Sequence, residues 1–491
     1  MMKIMIFTRK ESMKNNYNMY VKKSFLLVPF AALLLLNLAL AQQKAGQIAQ
    51  GEPIFLRYAD SLLGENTSGE IIRKYSGRVS FTQGNVVVNC DNAVHYIERN
   101  EVRLSGNVVI TQEGLVLRSP LVNYSGNSGI ANAFLGVKIE NNNALLVADS
   151  GTYSTQTRIA DFQGKVRFDD DTVKITCNRM RYFKIENISN AYGNVVVDDD
   201  SATVHCDTLE YFRNTHDSKA FHNVRIIGKY DRTFLIADTV LNISSKGFTE
   251  ASGNPVLFQI DSTKKNEVDN SFTFIYDTLS ISSDTMRVSK AVSTDSLQKT
   301  NTANENSYLF IGDVELRKGG IAAKSGFGDY RKSDGYFRLD AEPVTWYDST
   351  QLSADTIIVY IPKNKLKEIY ADGNAFASMV DDTLNANRIN QISGGKIRIL
   401  FNNDSIVAIK GYENAKSLYY MTSEKGADGA ARNSADSIFI QFTEGEADEI
   451  LWLGGVQGEY FPEIIIYGDP KSYFLPGFKR EYVLPKKRYI P

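Results

Sequence analysis

Histidine, tryptophan, cysteine and proline are scarce in this chain: 4, 2, 3 and 11 residues among 491. The histidines, His95, His205, His216 and His222, share no recurring spacing and join no cysteine cluster, so no zinc site is indicated. No glycine loop ends in Lys-Ser/Thr, and neither Gly-x-Ser-x-Gly nor His-Glu-x-x-His occurs. Phosphate cradling, a nucleophile elbow and metallopeptidase chemistry therefore lack their usual carriers. Charge of either sign is not in excess: the net charge is −2 and the pI about 6.2, which leaves no basic footprint for nucleic acid. Beyond residue 41 no apolar run is long enough to cross a bilayer as a helix.

One apolar run does occur, from Phe25 to Ala41, preceded by Lys22-Lys23 and ending Ala39-Leu40-Ala41 before Gln42. A basic start, an apolar middle and a small-x-small end describe a secretory signal peptide over residues 1–41, with a retained anchor as the alternative. Met13 or Met19 is a candidate true start, and no cysteine follows the cleavage point to accept a lipid. The mature chain is expected outside the cytoplasm.

What the chain has in abundance is repetition. Cys90, Ser119, Ala148, Cys177 and Cys206 recur every 29 residues, Tyr124, Tyr153, Tyr182 and Tyr211 follow at the same period, and a glycine lies upstream at Gly84, Gly106, Gly136, Gly164 and Gly193. Each unit reads Gly-x-Val-x-apolar, a polar break, then alternating apolar residues, a small-Asp pair and a tyrosine. Alternation with period two marks strands with one buried face. A fixed period near 30 marks units that must stack to bury those faces. In the unit Gly193–Tyr211, Val195 and Val197 share a face, as do Ala202, Val204 and Cys206, but Leu209 and Tyr211 fall out of phase. Keeping both sets inside requires a bend or bulge at the small-Asp pair.

Alignment by the repeat also reassigns features that look chemical in isolation. Asp169-Asp170-Asp171 and Asp198-Asp199-Asp200 stand where another unit has Asn141-Asn142-Asn143, so hairpin turns are favoured over calcium ligands. Asp91, Asp149, Asp207, Asp238 and Asp355 read as structural punctuation rather than catalytic acids. The three cysteines fill a slot that other units give to Ser or Ala, the behaviour of small buried residues, with a Cys177–Cys206 bridge as the alternative.

Along the chain, residues 42–260 form a first β-repeat domain, 261–307 a polar insertion or linker, and 308–460 a second, less regular β-repeat domain. Residues 461–491 make a tail rich in proline, aromatics and basic side chains, expected to be a solvated end. The inward Val, Ile, Leu, Phe and Tyr allow two readings: a closed self-packed core, or two sheets standing apart around an apolar trough. Burying acyl chains in a trough would contribute about 0.8 kcal/mol per methylene before ordering costs.

Gly84-Asn85-Val86-Val87-Val88, Gly106-Asn107-Val108-Val109-Ile110 and Gly193-Asn194-Val195-Val196-Val197, with the Ala/Cys-Asp-x-apolar-x-Tyr elements, resemble the OstA/LptA family of lipopolysaccharide-transport proteins. Asp277-Thr278-Leu279, Asp355-Thr356-Ile357 and residues 390–396 resemble the longer OstA-like members. The resemblance implies an all-β fold: a repetitive antiparallel β-jelly-roll, or taco, of stacked ~29-residue units, two sheets with an apolar groove. It further implies a periplasmic, outer-membrane-associated role in lipopolysaccharide transport, without catalysis or cofactor. Lipid A chains would lie along Val86, Val108, Ile110, Val137, Ile139, Val166, Phe168, Ile175, Val195, Val197 and Val204. Partners would be lipopolysaccharide and other transport proteins, or further copies of this chain, joined by strand-edge pairing. An exported binding or adhesion scaffold and a β-helix enzyme acting on polysaccharide remain alternatives.

Overall fold

A computed structural model describes residues 52–490 apart from 68, 231, 267–271, 291–305, 333, 363–364, 381–386, 424–425 and 444–445. The expected signal peptide lies outside the described residues, and no helix among them is long and apolar enough to cross a membrane.

Strand follows strand in antiparallel pairs, beginning with Glu70–Gln83, Val86–Tyr96, Glu101–Gln112 and Leu115–Ser125. Each long strand of the first units bends once and so serves two walls. In Glu101–Gln112 the pairing register shifts after Ser105 against both neighbours, pairing resuming at Val109 on one side and Val108 on the other. Residues 101–105 belong to the second wall and residues 108–112 to the first. The shift is a β-bulge, which takes up the odd residue and keeps the apolar side chains of both halves facing inward.

The repeat motif builds this corner. Gly106 and Asn107 both take positive φ, +74° and +45°, and a Cβ on Gly106 would lie 2.6 Å from Asp91 Oδ2. Only glycine accepts both the conformation and the approach. Asn107 Nδ2 then donates to Asp91 Oδ2 at 2.8 Å. Elsewhere the Asp backbone N–H donates to the glycine carbonyl: Asp149 to Gly164 at 2.9 Å and Asp355 to Gly373 at 2.8 Å. The aspartates are indeed corner pieces.

The hairpin ends follow the same economy. Asp199 Oδ1 accepts from the backbone N–H of Ser201 and Ala202 at 2.6 and 2.8 Å, and Asp170 Oδ1 accepts from Val173 at 3.1 Å. These are turns closed by their own side chains.

Strand pairing does not stop at the expected linker. Val256–Asn266 pairs with Phe272–Ser282, which pairs with Asn306–Lys318, so the polar segment 261–307 contains strands of the same stack, and residues 53–491 cluster as one unit. Residues 267–271 and 291–305 of the expected linker lie outside the described residues. The array ends on Gly426–Thr443, flanked by Glu446–Leu453 and Gln457–Phe461.

The tail is not a solvated end. It runs back over the outer face of the first wall, where Gln391 Oε1 accepts from Leu475 N at 2.9 Å and Gln351 Oε1 from Glu481 N at 2.9 Å. Arg317 Nη2 donates to the Pro485 carbonyl at 2.7 Å, and Arg488 pairs with Glu315 at 3.3 Å. Ile466 and Leu475 bury themselves with Phe376, Leu418 and Tyr420 in a second, smaller core.

Candidate functional site

The space between the walls is lined by rows of side chains that cross the strands. Nearest the corner the first wall alternates large and small: Val108 opposite Ser119, Val137 opposite Ala148, Val166 opposite Cys177, Val195 opposite Cys206. The recurring small residue makes room where the two walls converge. All three cysteines sit here as free, buried thiols, and burial pushes each up to about 11, far from the thiolate needed for reactivity.

One row further from the corner is uniformly large. It passes from Val88 to Ile110, Leu117, Ile139, Leu146, Phe168, Ile175, Val197, Val204 and Ile226, each paired with the next. It continues through Leu235, Leu257 and Ile281 to Leu316. The structure therefore brings ten of the eleven expected residues into two adjacent rows of one inward face, and Val86 into a third row at the rim. Nine of the eleven are buried, with Ile110, Val166 and Phe168 at 0–1 % exposure. Val197 and Val204 are only half-buried. Over these units the trough is not open: the two walls pack together, and protein side chains fill the space between them.

The rim is held shut at the period of the sequence repeat. Tyr124 donates to Gln83 Oε1, Tyr153 to Gln112 Oε1 at 2.8 Å and Tyr211 to Asp170 Oδ2 at 2.9 Å, while Tyr182 accepts from Asn141 Nδ2 at 2.9 Å. Each bond joins the second wall to a hairpin end of the first, 41 residues earlier. Burial pushes Tyr153 up to about 12, so that phenol stays protonated. Each bond contributes about 0.5–1.5 kcal/mol, more where breaking it strands a buried partner. Around them Arg158 pairs with Glu113, and this holds the Glu113 carboxylate below its usual range. Lys184 Nζ donates to the Gln112 and Glu113 carbonyls at 3.2 and 3.1 Å. The sequence showed the tyrosines, but their partners lie 41 residues away and carry three different side chains.

Beyond Leu316 the large row shrinks to Ala323, Thr345, Leu352, Ala377, Ile392 and Ser417. Here a small apolar cavity of about 40 Å³ remains in the interior, lined by Met379, Ile392, Ile409, Ser417, Ile440 and Ile450. Sequence reading missed these residues, because the late units lose the repeat and only strand register shows which side chains oppose one another.

Compared with known proteins, residues 52–164 match the family described as OstA-like protein. Among solved structures, LptH, the LptA-homologous periplasmic component of the conserved lipopolysaccharide transport device of Pseudomonas aeruginosa, is similar at 14 % identity over 26 % of this chain and 80 % of its own, with a TM-score of 0.21. No curated protein matches the chain. The family match thus falls on the stretch that opens the repeat array.

Proposed function

We propose that this chain is a periplasmic lipopolysaccharide-transport protein of outer-membrane biogenesis, holding lipid A acyl chains between its two β walls. The observation that carries the reading is the unbroken apolar row from Val88 to Leu316, continuous across the stack. It favours no single unit, so a chain shifted by one strand spacing meets an equivalent surface. The OstA-like match at residues 52–164 supports the same reading. Strand edges with exposed apolar side chains close both ends: Phe55, Leu62 and Leu63 at one, Leu451, Leu453 and Tyr460 at the other. They suit pairing with a transport partner or a second copy of this chain.

Photocrosslinking residues placed at Val108, Phe168 and Val195 are expected to capture lipopolysaccharide in cells, and outward Val87 and Val196 are not. Capture at the outward positions alone overturns the proposal. The filled interior of the first units favours one competing reading, an exported scaffold that carries nothing. Unimpaired lipopolysaccharide delivery after depletion of the protein would decide for it.

A further inference from the structure

The tyrosine bonds do not run the length of the rim. In the row of the second wall that holds Tyr124, Tyr153, Tyr182 and Tyr211, the next positions are Ser218, Asn242 and Thr249. Asp199 is the hairpin-end residue one repeat beyond Asp170, yet among the described residues its carboxylate bonds only within its own turn, and Asn242 Oδ1 accepts from Thr249 Oγ1 at 3.0 Å within its own wall. Further on the row passes through Val288 and the buried Tyr308 to Tyr330, which donates to Gln259 Oε1 at 3.4 Å. Beneath the gap lie Val197, Val204 and Ile226, the half-buried members of a row otherwise sealed over the preceding units.

We propose that acyl chains enter and leave the interior sideways through this gap, at Ser218, Asn242 and Thr249, just past the Asp170–Tyr211 contact. The proposal rests on the lipid-carriage reading and specifies its port. The ligand is an amphiphile with acyl chains and a hydrogen-bonding head: the chains slide past Val204 and Ile226, and the hydroxyls and amide of Ser218, Asn242 and Thr249 remain at the rim for the head. A polar group held there keeps hydrogen-bonding partners that it would lose deeper inside. The four tyrosines to one side then act as successive latches, each of which must release before a chain advances toward the first strands.

The full chain, carrying a photocrosslinking residue at Ile226 or at Ile139, is exposed to a short pulse of purified lipopolysaccharide. Adducts are expected at Ile226 well before Ile139. Asn242→Tyr, which places a phenol opposite Asp199 at a half-buried rim position, should lower early capture at Ile226 by roughly fivefold, the equivalent of about one hydrogen bond. The pair Tyr153→Phe and Tyr182→Phe should speed capture at Ile139 and leave Ile226 unchanged. Equal early capture at both positions in the native chain overturns the port. So does an unchanged rate in Asn242→Tyr with its thermal midpoint preserved; if that variant fails to fold, the phenylalanine pair decides alone. Slow capture at Ile139 with none at Ile226 also refutes the port but keeps carriage, whereas no capture at either position refutes carriage itself.

Discussion

At the residue scale, the repeated positions divide by what surrounds them. Gly106 and Asp91 serve the corner, Cys177 yields space, and Tyr153 and Gln112 join the walls. His95 breaks the pattern: it is buried in the tyrosine row, its ring centroid 5.9 Å from Phe81 and 6.4 Å from Tyr75. Burial, with a smaller contribution from the Arg73 charge, pushes it from its ordinary 6.5 down to about 4. The unfolded chain therefore takes up a proton near pH 6.5 that the folded chain refuses until about 4. Stability due to this site is full above pH 6.5 and falls progressively as pH drops toward 4. Urea titrations at several pH values should show this slope, and His95→Phe should flatten it; an unchanged slope would mean that His95 is solvated.

At the element scale, a strand here is a two-part object with a hinge of fixed position. Bending the strands of the first units at their small-Asp and glycine positions lets a single meander form both walls, so no crossover connection is needed. The tail works differently, tying strands of one wall together from outside through Gln391, Gln351 and Arg317. Removing residues 462–491 would expose Phe376, Leu418 and Tyr420 to water. Each costs about 1.5–3 kcal/mol if fully uncovered. Hydrogen exchange should then quicken across Glu368–Val380, Ile389–Asn402 and Ser405–Ser423, and leave Val86–Tyr96 unaffected. Uniform quickening over the chain would contradict a local strap.

At the scale of the whole molecule, the array is close to one-dimensional, since each strand pairs chiefly with its neighbours in sequence. Damage should stay local. Phe168→Ala deletes a fully buried ring between Leu146 and Ile175 and should cost about 3–5 kcal/mol. Its effect on exchange is expected to fade within a few strands, so that Ile389–Asn402 keeps its protection. Loss of protection at both ends together would show instead that the stack unfolds as one cooperative body.

Much of this was legible without coordinates. Alternation, the 29-residue period and the Gly-Asn and small-Asp pairs determined that the chain is all-β, that strands bend at set places and which side chains of the first units face inward, because these are local rules of backbone and phase. Tertiary structure alone decided how wide the interior stands. That depends on which residues meet across walls 41 positions apart, and on register in the late units, where the period fades. Sequence could therefore place Val197 and Val204 in the same row as Ile110 and Phe168, but only packing distinguished the sealed stretch from the half-open one. It was also packing that laid a basic, proline-bearing tail against the sheet, since its partners Gln391 and Gln351 are polar residues on an outward face that no periodicity marks for burial.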